Sequence, residues 1–575
     1  MKIRSFLYSF IGILLLIIAP LAAGQEKELK PVPDAVKAGF ESITADDALN
    51  YVEFLSCDEL EGRDTGLRGM RIARNYVASL FRLWGLQPAG DRVGDKQTFH
   101  QVIRMMEVVG SDCSLEVSDG NKKTVFNQSP DISMGRGGSG TMEISAPVVF
   151  VGYGISAPDL NYDDLAGVDL KGKIALVING IPGGEKKKTP FTDPKNSRRF
   201  SGYYRFRAVA EALRERGAAA VMSVGDFDGR SRGVDGVSEY KQGSRIDSPN
   251  RRLIVPELNA ASGSTMSTRI SEQVADALLA GAGLKLDDIR AKIDDELKPH
   301  SQEIAGIEAT LSVETEMKPI TSGNVLGLIE GSDPELKNEV IVIGGHLDHL
   351  GMTEDGYVFN GADDNASGSA GVMEAAQAFA LNPVKPKRSI LFACWTGEEK
   401  GLYGSRYFVE FPSIDKKIIA CLNMDMISRD WDPERLKMMA RRMGGAFADA
   451  TDIDAETAKR VTTASMSAQS PELLEKTNRL NKDHVGLIYF PRSSVNLSGG
   501  SDHAPFHGAN IPAIFFFAAM TEDYHQPGDT ADKMNIEKMR DIIRLAYLTA
   551  FEIANQPETI GWTEVAEEET AMPPH

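Results

Sequence analysis

Residues 340–349 read VIVIGGHLDH and give the strongest indication of the fold class. The apolar run is continuous, without the alternation of a half-exposed strand, and it leads directly into polar side chains. The same plan recurs at Ile390–Trp395, Ile418–Leu422 and Ile511–Phe517, and helical patterns such as Ser369–Ala380 separate the runs. Continuous apolar strands joined by helices are typical of a sheet that is covered on both faces. The sequence therefore predicts an α/β fold with a mixed, largely parallel central sheet flanked by helices.

Side chains that can bind metals stand near the ends of these runs. In open α/β sheets, ligands bind just beyond the carboxyl ends of the strands. Imidazole and carboxylate donors together suit zinc, and this set is large enough for two divalent cations. Six of the nine histidines lie between residues 346 and 525, which indicates one site. The candidate residues are His346, Asp348, Asp364, Glu398, Glu399, Asp425 and His525.

Length and composition exclude several classes of protein. The chain has 575 residues, more than one hydrophobic core usually organises, so we expect two or more domains. With 82 Asp+Glu against 63 Lys+Arg, the formal net charge is -19. We expect no nucleic-acid partner, because phosphate binding needs a strongly positive surface. Four cysteines in a chain of this length cannot form a disulfide scaffold.

Residues 1–24 have the pattern of a secretory signal peptide. Lys2 and Arg4 supply a positive start, Phe6–Ile18 an apolar stretch, and Ala22–Gly24 a small-residue cleavage pattern. The apolar stretch is shorter than the about 20 residues that a bilayer span needs, so we expect cleavage and no stable membrane span afterwards. The prediction is an exported protein, either periplasmic or extracellular.

Six motifs that follow one another along the chain resemble a known family. They are GGHLDHLG (344–351), GADDNASG (361–368), TGEEKGLYGS (396–405), LNMDM (422–426), SDHAPF (501–506) and YHQPGDT (524–530). Together they resemble the co-catalytic zinc exopeptidases, which include secreted bacterial leucine-type aminopeptidases. SCDELEGRDTGLRG (56–69) and YVASLFRLWGLQPAG (76–90) look like the amino-terminal helices of that family. The resemblance covers most of the chain after the signal peptide.

The resemblance also implies how the chain is divided. Residues 149–177 and RERGAAAVMSV (214–224) resemble a protease-associated (PA) domain inserted into such enzymes. Short β-rich runs in this region agree with a separate β-rich module. The implied parts are a signal peptide (1–24), an N-terminal helical part of the peptidase domain (25–107), the inserted PA domain (108–305), the metallopeptidase catalytic domain (306–555) and an acidic flexible tail (556–575).

By resemblance, five residues hold two Zn²⁺ ions per chain. Asp364 is the bridging ligand between the two ions. His346 and Asp425 complete the ligands of one ion, and Glu399 and His525 complete those of the other. Two ions that share a water can lower its pKa and polarise the scissile carbonyl.

The remaining site residues carry catalytic or substrate-binding roles by resemblance. Glu398 is the expected general base, a role usually worth about 10²–10⁴-fold in rate. Asp348 is expected to accept the second N–H of the His346 ring and so fix its tautomer. His503 and Tyr524 are candidate substrate contacts, with a buried structural histidine and packing beside the neighbouring imidazole as the alternatives. His349 is expected to line the wall of the site.

The implied function is that of an exported metalloaminopeptidase that hydrolyses N-terminal residues from peptides with a free N-terminus. One alternative is a glutaminyl cyclase-like enzyme with a single zinc, but such enzymes need fewer ligands. A carboxypeptidase relative is another, although the HLDHLG and YHQPGDT motifs look more like those of aminopeptidases. A non-catalytic binding protein of the transferrin-receptor kind is the third, and retention of all five ligands and Glu398 argues against it.

Overall fold

The computed structural model describes most of the chain. The described residues are 29–128, 131–134, 141–184, 187–193, 196, 199–200, 202–224, 246, 249, 251–258, 265–437, 454–494, 497 and 499–563. The predicted signal peptide and the part of the predicted tail from residue 564 onward lie outside these ranges. Within the ranges, none of the helices combines the length and the apolar character that crossing a bilayer requires.

Most of the predicted helical segments are helices, and their starts follow local rules. The N–H of Asp47 donates a hydrogen bond of 3.1 Å to the hydroxyl of Thr44, which caps the second helix as the sequence predicts. The helices are α1 (Asp34–Ser42), α2 (Ala45–Leu55), α3 (Arg68–Leu83), α4 (Gly202–Glu215), α5 (Glu272–Leu279), α6 (Leu286–Glu296), α7 (Gly368–Leu381), α8 (Tyr403–Glu410), α9 (Ala455–Arg460), α10 (Pro471–Leu480), α11 (His503–Gly508) and α12 (Ile536–Asn555).

The strands follow the apolar runs. They are β1 (Gln87–Pro88), β2 (Arg92–Val93), β3 (Lys96–Gln97), β4 (His100–Ser118), β5 (Lys123–Asn127), β6 (Ile132–Met134), β7 (Met142–Phe150), β8 (Ser156–Ala157), β9 (Tyr162–Asp163), β10 (Ile174–Ile178), β11 (Ala220–Val224), β12 (Arg252–Ile254), β13 (Met266–Ile270), β14 (Gln302–Ile329), β15 (Glu339–His346), β16 (Gly351–Met352), β17 (Val358–Phe359), β18 (Ser389–Trp395), β19 (Lys417–Met424), β20 (Val461–Ser467), β21 (Ile488–Ser494) and β22 (Ala513–Phe517).

The centre of the molecule is a mixed, mostly parallel sheet. Its order is β21-β20-β22-β19-β15-β18-β14, and β15, β18, β19 and β22 run parallel to their neighbours within that group. Strands β14 and β20 enter antiparallel to β18 and β22. Every residue of β18 is buried, because helices such as α7 and α12 cover the sheet. The predicted fold class is confirmed, and the four apolar runs are the four central parallel strands.

Residues 108–305, here called the inserted segment, contribute a second hydrophobic core. Buried side chains of β7, β10, β11 and β13 pack with α5 and α6 in a cluster separate from that of the central sheet. The two long strands β4 and β14 pair antiparallel and carry the sheet from one core into the other. The predicted boundaries fall inside these two strands, so the sequence division into domains stays a prediction.

The topology brings four loops to one edge of the central sheet. The carboxyl ends of β15, β18 and β19 are adjacent because these strands are parallel neighbours. A buried turn of helix, Ala362–Ser367, leads into α7 beside them. His346, Glu399 and Asp425 lie at or just after these strand ends, Asp364 lies in this turn, and His525 comes from the loop after β22, so the fold gathers the predicted ligand residues.

Candidate metal centre

The first group of converging donors comes from β15, β19 and the turn before α7. His346 is the last residue of β15, and Asp425 follows the last residue of β19. The Nε2 atom of His346 lies 3.3 Å from Asp364 Oδ1 and 3.4 Å from Asp425 Oδ1. All three side chains are buried. The geometry places one imidazole nitrogen opposite two carboxylates, as a metal site requires.

The second group shares Asp364 with the first. Asp364 Oδ2 lies 3.1 Å from His525 Nε2, and Glu399 Oε2 lies 3.2 Å from the same nitrogen. The other oxygen of Glu399 lies 2.9 Å from Nδ1 of His349. The two oxygens of Asp364 therefore face different imidazoles, which is the arrangement of a bridging carboxylate.

Donor atoms of both groups are close enough to hold an ion each. Those of His346, Asp364 and Asp425 lie within 4.8 Å of one another, and so do those of His349, Asp364 and Glu399. Among the described residues, no lysine or arginine forms an ion pair with these three carboxylates. Buried carboxylates without a permanent cation are costly, and imidazole with carboxylate is a donor set that suits zinc. The residues present therefore fit two divalent cations.

The carboxylates of the site raise the pKa values of two of its histidines. Burial lowers the pKa of His525, but the nearby carboxylates of Glu399 and Asp364 outweigh burial and hold that pKa well above its ordinary value. Burial likewise lowers the pKa of His346, and the carboxylates of Asp425 and Glu398 raise it well above normal. When no other cation is bound, the protonated histidines balance the negative charge of the carboxylates. The cluster therefore favours the binding of positive charge.

Glu398 lies beside the ligand groups, and its main chain is fixed. Its N–H donates a 3.2 Å hydrogen bond to Oδ1 of Asp348. Burial raises the pKa of the Glu398 carboxyl well above its ordinary value, and the charge of Glu399 raises it further, while His346 opposes both. A carboxyl group with a raised pKa that borders a metal site is suited to proton transfer.

The partner of His346 Nδ1 is the main chain of Asp348. The Nδ1 atom lies 3.0 Å from the backbone carbonyl oxygen of Asp348 and 3.9 Å from its carboxylate. The carboxylate is engaged elsewhere, because it accepts hydrogen bonds from the hydroxyl of Thr65 at 2.8 Å and from the Glu398 amide. The backbone carbonyl of Asp348, and not its carboxylate, is therefore the group that accepts from Nδ1 and favours the His346 tautomer with its proton on that nitrogen.

Asp529 of the YHQPGDT segment stabilises the turn that contains Asp364 by hydrogen bonds to its backbone. The carboxylate of Asp529 accepts hydrogen bonds from the backbone N–H groups of Asp363, at 3.1 Å, and Asp364, at 3.0 Å. The neighbouring carboxylate of Asp363 accepts from the amide and hydroxyl of Ser428 at 2.9 and 2.6 Å. These bonds fix the backbone at the bridging residue.

The two candidate substrate contacts have different surroundings. The ring of Tyr524 stacks on His525 with centroids 3.8 Å apart. Burial raises the pKa of Tyr524 well above its ordinary value, and the charges of Asp364 and Glu399 add to this, so the phenol lies close to the metal centre. His503 is buried against Phe515, with ring centroids 4.6 Å apart, and burial lowers its pKa to about 3. Among the described contacts, His503 does not join the metal centre.

The structure adds two residues that the sequence reading did not assign to the site, Arg63 and Thr65. It also gives His349, which was expected in the wall of the site, a direct contact with Glu399. Arg63 and Thr65 lie more than 280 residues before the loops that they contact. Their GRDT sequence carries no ligand pattern, so spacing alone could not place them here.

The family comparison agrees with this geometry. Residues 324–550 match the sequence profile of peptidase family M28. The M28 region contains the four central parallel strands and all five candidate ligands. The predicted family is therefore confirmed for this part of the chain.

Relatives of the M28 region carry two kinds of name. The chain is 26% identical over 413 residues to "Glutamate carboxypeptidase 2 homolog" of Caenorhabditis elegans, a match that covers 66% of this chain and 49% of the relative. It is 28% identical over 253 residues to "Leucine aminopeptidase 2" of Arthroderma otae, which covers 40% of this chain and 44% of the relative. The chain thus spans about half the length of these curated relatives.

A solved structure also aligns with the chain. It is an aminopeptidase from Aneurinibacillus sp. strain AM-1, with 21% identity and a TM-score of 0.45. The alignment covers 93% of this chain and 99% of that chain.

Proposed function

We propose that this protein is an exported zinc-dependent aminopeptidase that removes N-terminal residues from peptides. The observation that carries the proposal is the carboxylate of Asp364, whose two oxygens face two separate histidine and carboxylate groups with Glu398 alongside. Membership of residues 324–550 in peptidase family M28 supports peptide-bond hydrolysis, and the name of the Arthroderma otae relative supports action at the N-terminus.

Five residues would hold two zinc ions. His346, Asp364 and Asp425 would bind one ion, and Asp364, Glu399 and His525 the other. We assign His525 and not His349 as the ligand, because His525 Nε2 lies 3.1 Å from Asp364 whereas His349 Nδ1 lies 3.9 Å from it. His349 instead orients Glu399 by contacting the oxygen that faces away from His525. Zinc, when bound, polarises a carbonyl group and lowers the pKa of water.

The protein's own side chains would move the protons and orient the substrate. The Glu398 carboxylate accepts a proton from the attacking water and delivers it to the nitrogen of the leaving amine. Asp348 holds the main chain at Glu398, so the carboxylate stays aimed at the centre. The hydroxyl of Tyr524 would donate a hydrogen bond to the substrate carbonyl oxygen. The free amino group of the substrate would be held at this site, which would restrict cleavage to the first residue.

The test compares substrates with and without a free amino group. The purified chain from Gln25 onward is loaded with zinc, desalted and analysed for zinc per chain. Hydrolysis of leucine p-nitroanilide is then compared with that of its N-acetylated form. Two zinc equivalents and hydrolysis of only the free amine would support the proposal. One tightly held equivalent with cyclisation of N-terminal glutamine would favour the cyclase, and absence of zinc and turnover would favour a binding protein.

A further inference from the structure

A short stretch of the inserted segment lies against the catalytic region. Strand β12 pairs antiparallel with β4, so that Leu253 is opposite Glu107. The buried side chains of Leu253 and Val255 pack in one cluster with Tyr403 and Tyr407 of α8. Helix α8 begins soon after the loop that contains Glu398 and Glu399, so this stretch is in position to affect the loop.

Arg251 connects this stretch to the amino-terminal segment through two carboxylates. Its Nη1 atom lies 2.9 Å from Asp64 Oδ2 and also donates a 3.1 Å hydrogen bond to the backbone carbonyl of Thr65. Its Nε donates to Glu107 Oε1 at 2.6 Å. The side chain of Asp64 is 2% exposed, and that of Arg251 is 16% exposed. Little solvent screens these contacts, and hydrogen-bonded ion pairs of this kind fix geometry.

From Asp64 and Thr65, contacts reach both sides of the Glu398–Glu399 pair. Asp64 Oδ1 lies 3.4 Å from the ammonium of Lys400, the residue directly after the pair. The hydroxyl of Thr65 donates to Asp348, which in turn accepts from the Glu398 amide. The loop is therefore held before and after Glu399 by two adjacent residues that Arg251 itself contacts.

A second, independent contact fixes the end of the loop that contains Glu398 and Glu399. The hydroxyl of Tyr403 donates a 2.7 Å hydrogen bond to the carbonyl of Leu253. The N–H of Tyr403 donates at 2.9 Å to the carbonyl of Gly397, the residue directly before Glu398. Leu253 therefore anchors the residue that ends the loop, without involving Arg251.

We propose that the inserted segment positions the general base, with Arg251 acting on Glu398 through Asp64 and Thr65 and with Leu253 acting through Tyr403. This inference rests on the proposed function, because it takes Glu398 as the base. Arg251 is none of the proposed ligands or substrate contacts and acts through Asp64 and Thr65, so it is a positioning residue. Loss of its charge leaves the buried carboxylate of Asp64 with Lys400 alone and lets the loop shift.

The first test measures the loop without relying on activity. Amide hydrogen exchange of a peptide spanning residues 396–403 is followed in zinc-free wild type, Arg251→Met and Tyr403→Phe. Both variants should exchange several times faster in this peptide. Lys318→Met is the matched control, because Lys318 pairs with Glu107 at 3.1 Å but is 63% exposed and does not contact Asp64. Unchanged protection in both Arg251→Met and Tyr403→Phe would overturn the proposal.

The second test uses the zinc-loaded chain. Arg251→Met should lower kcat about 10–100-fold with little change in KM, since displacement of about 1 Å can cost 10²-fold. Zinc per chain should equal that of wild type. In a Glu398→Ala background the same substitution should cause no further loss, because residues that act as a unit are not additive. An equal loss in that background, or a kcat equal to that of wild type, would contradict positioning of Glu398.

The two proposals fail in different ways. If Glu398→Ala is as active as wild type, the proposed role of Glu398 is wrong. If Glu398→Ala is inactive while Arg251→Met and Tyr403→Phe match wild type in both kcat and exchange, only the positioning inference is wrong.

Discussion

Replacing Arg63 by methionine should loosen two of the loops that build the metal centre. Arg63 is fully buried, and its guanidinium has backbone carbonyls as hydrogen-bond partners. Its Nε donates to Leu347 at 2.8 Å, Nη1 to Asn360 at 2.7 Å and Nη2 to Gly361 at 2.9 Å. The carbonyl of Leu55 accepts from Nη1 as well. One planar side chain thus connects three segments of the chain.

The magnitude follows from these bonds. A hydrogen bond from a charged group contributes about 1.5–3 kcal/mol, and a buried carbonyl left without a donor adds to the loss. Methionine fills most of the volume but donates to none of the carbonyls. Because such losses are not fully additive, we expect the loss of the bonds to Leu347, Asn360 and Gly361 to lower the free energy of unfolding by roughly 4–6 kcal/mol. At about 2 °C per kcal/mol for a large domain, Tm should fall by about 10 °C.

The loops that Arg63 holds carry ligands, so metal binding should weaken together with stability. Leu347 follows His346, and Gly361 begins the turn that contains Asp364. Calorimetry of the zinc-free protein gives Tm, and elemental analysis after zinc loading gives metal content. Arg68→Met is the control, since Arg68 is 69% exposed and its ion pair with Glu61 should contribute less than about 1 kcal/mol. A Tm within 2 °C of wild type for Arg63→Met, with full zinc content, would refute this reasoning.

Three further predictions concern the centre and its surroundings. Glu398→Ala should reduce kcat by about 10²–10⁴-fold while two zinc ions stay bound, and activity comparable to wild type in a steady-state assay would exclude Glu398 as the base. His525→Ala should bind about one zinc fewer than His349→Ala by elemental analysis, and the reverse order would make His349 the ligand. Glu374 in α7 is 1% exposed, and burial raises its pKa from the ordinary 4.5 to about 8, with a contribution from Asp47. Between those values the folded protein keeps a proton that the unfolded chain loses, so stability falls as pH rises through this window. Glu374→Gln should therefore raise Tm at pH 8 and change it little at pH 4.5, and a shift that is the same at both pH values would contradict this.

The sequence predicted the central sheet because its strands are buried on both faces. A run such as Ile390–Trp395 has no polar alternation, and all of its residues are buried in β18. The candidate ligands could be picked out because each lies near the end of such a strand or in a recognisable motif. Asp364 lies in the GADDN turn and its two oxygens face His346 and His525, while its role as a bridging ligand stays a prediction.

Contacts between distant segments could not be predicted from spacing. The hydroxyl of Thr65 donates to the carboxylate of Asp348 from 283 residues away, and Nδ1 of His346 contacts the backbone carbonyl of Asp348. The domain boundaries were predicted at the two ends of the region with short β-rich runs, residues 108–305. Strands β4 and β14 cross both boundaries, because an extended strand can continue from one core into another without a change in local pattern.

The first helices of the chain pack against the last one. Apolar residues of α1, α2 and α3 share one cluster with those of α7 and α12, and the hydroxyl of Tyr547 contacts the carbonyl of Val36, 511 residues earlier. At about 5–20 residues per second, roughly half a minute to two minutes of synthesis separates these partners. Until α12 has been made, α1, α2 and α3 have α7 but lack the other part of their apolar partner surface. This cluster is therefore completed only after α12 is available, and a fragment that ends before α12 should expose the uncovered surface to chaperones and proteases.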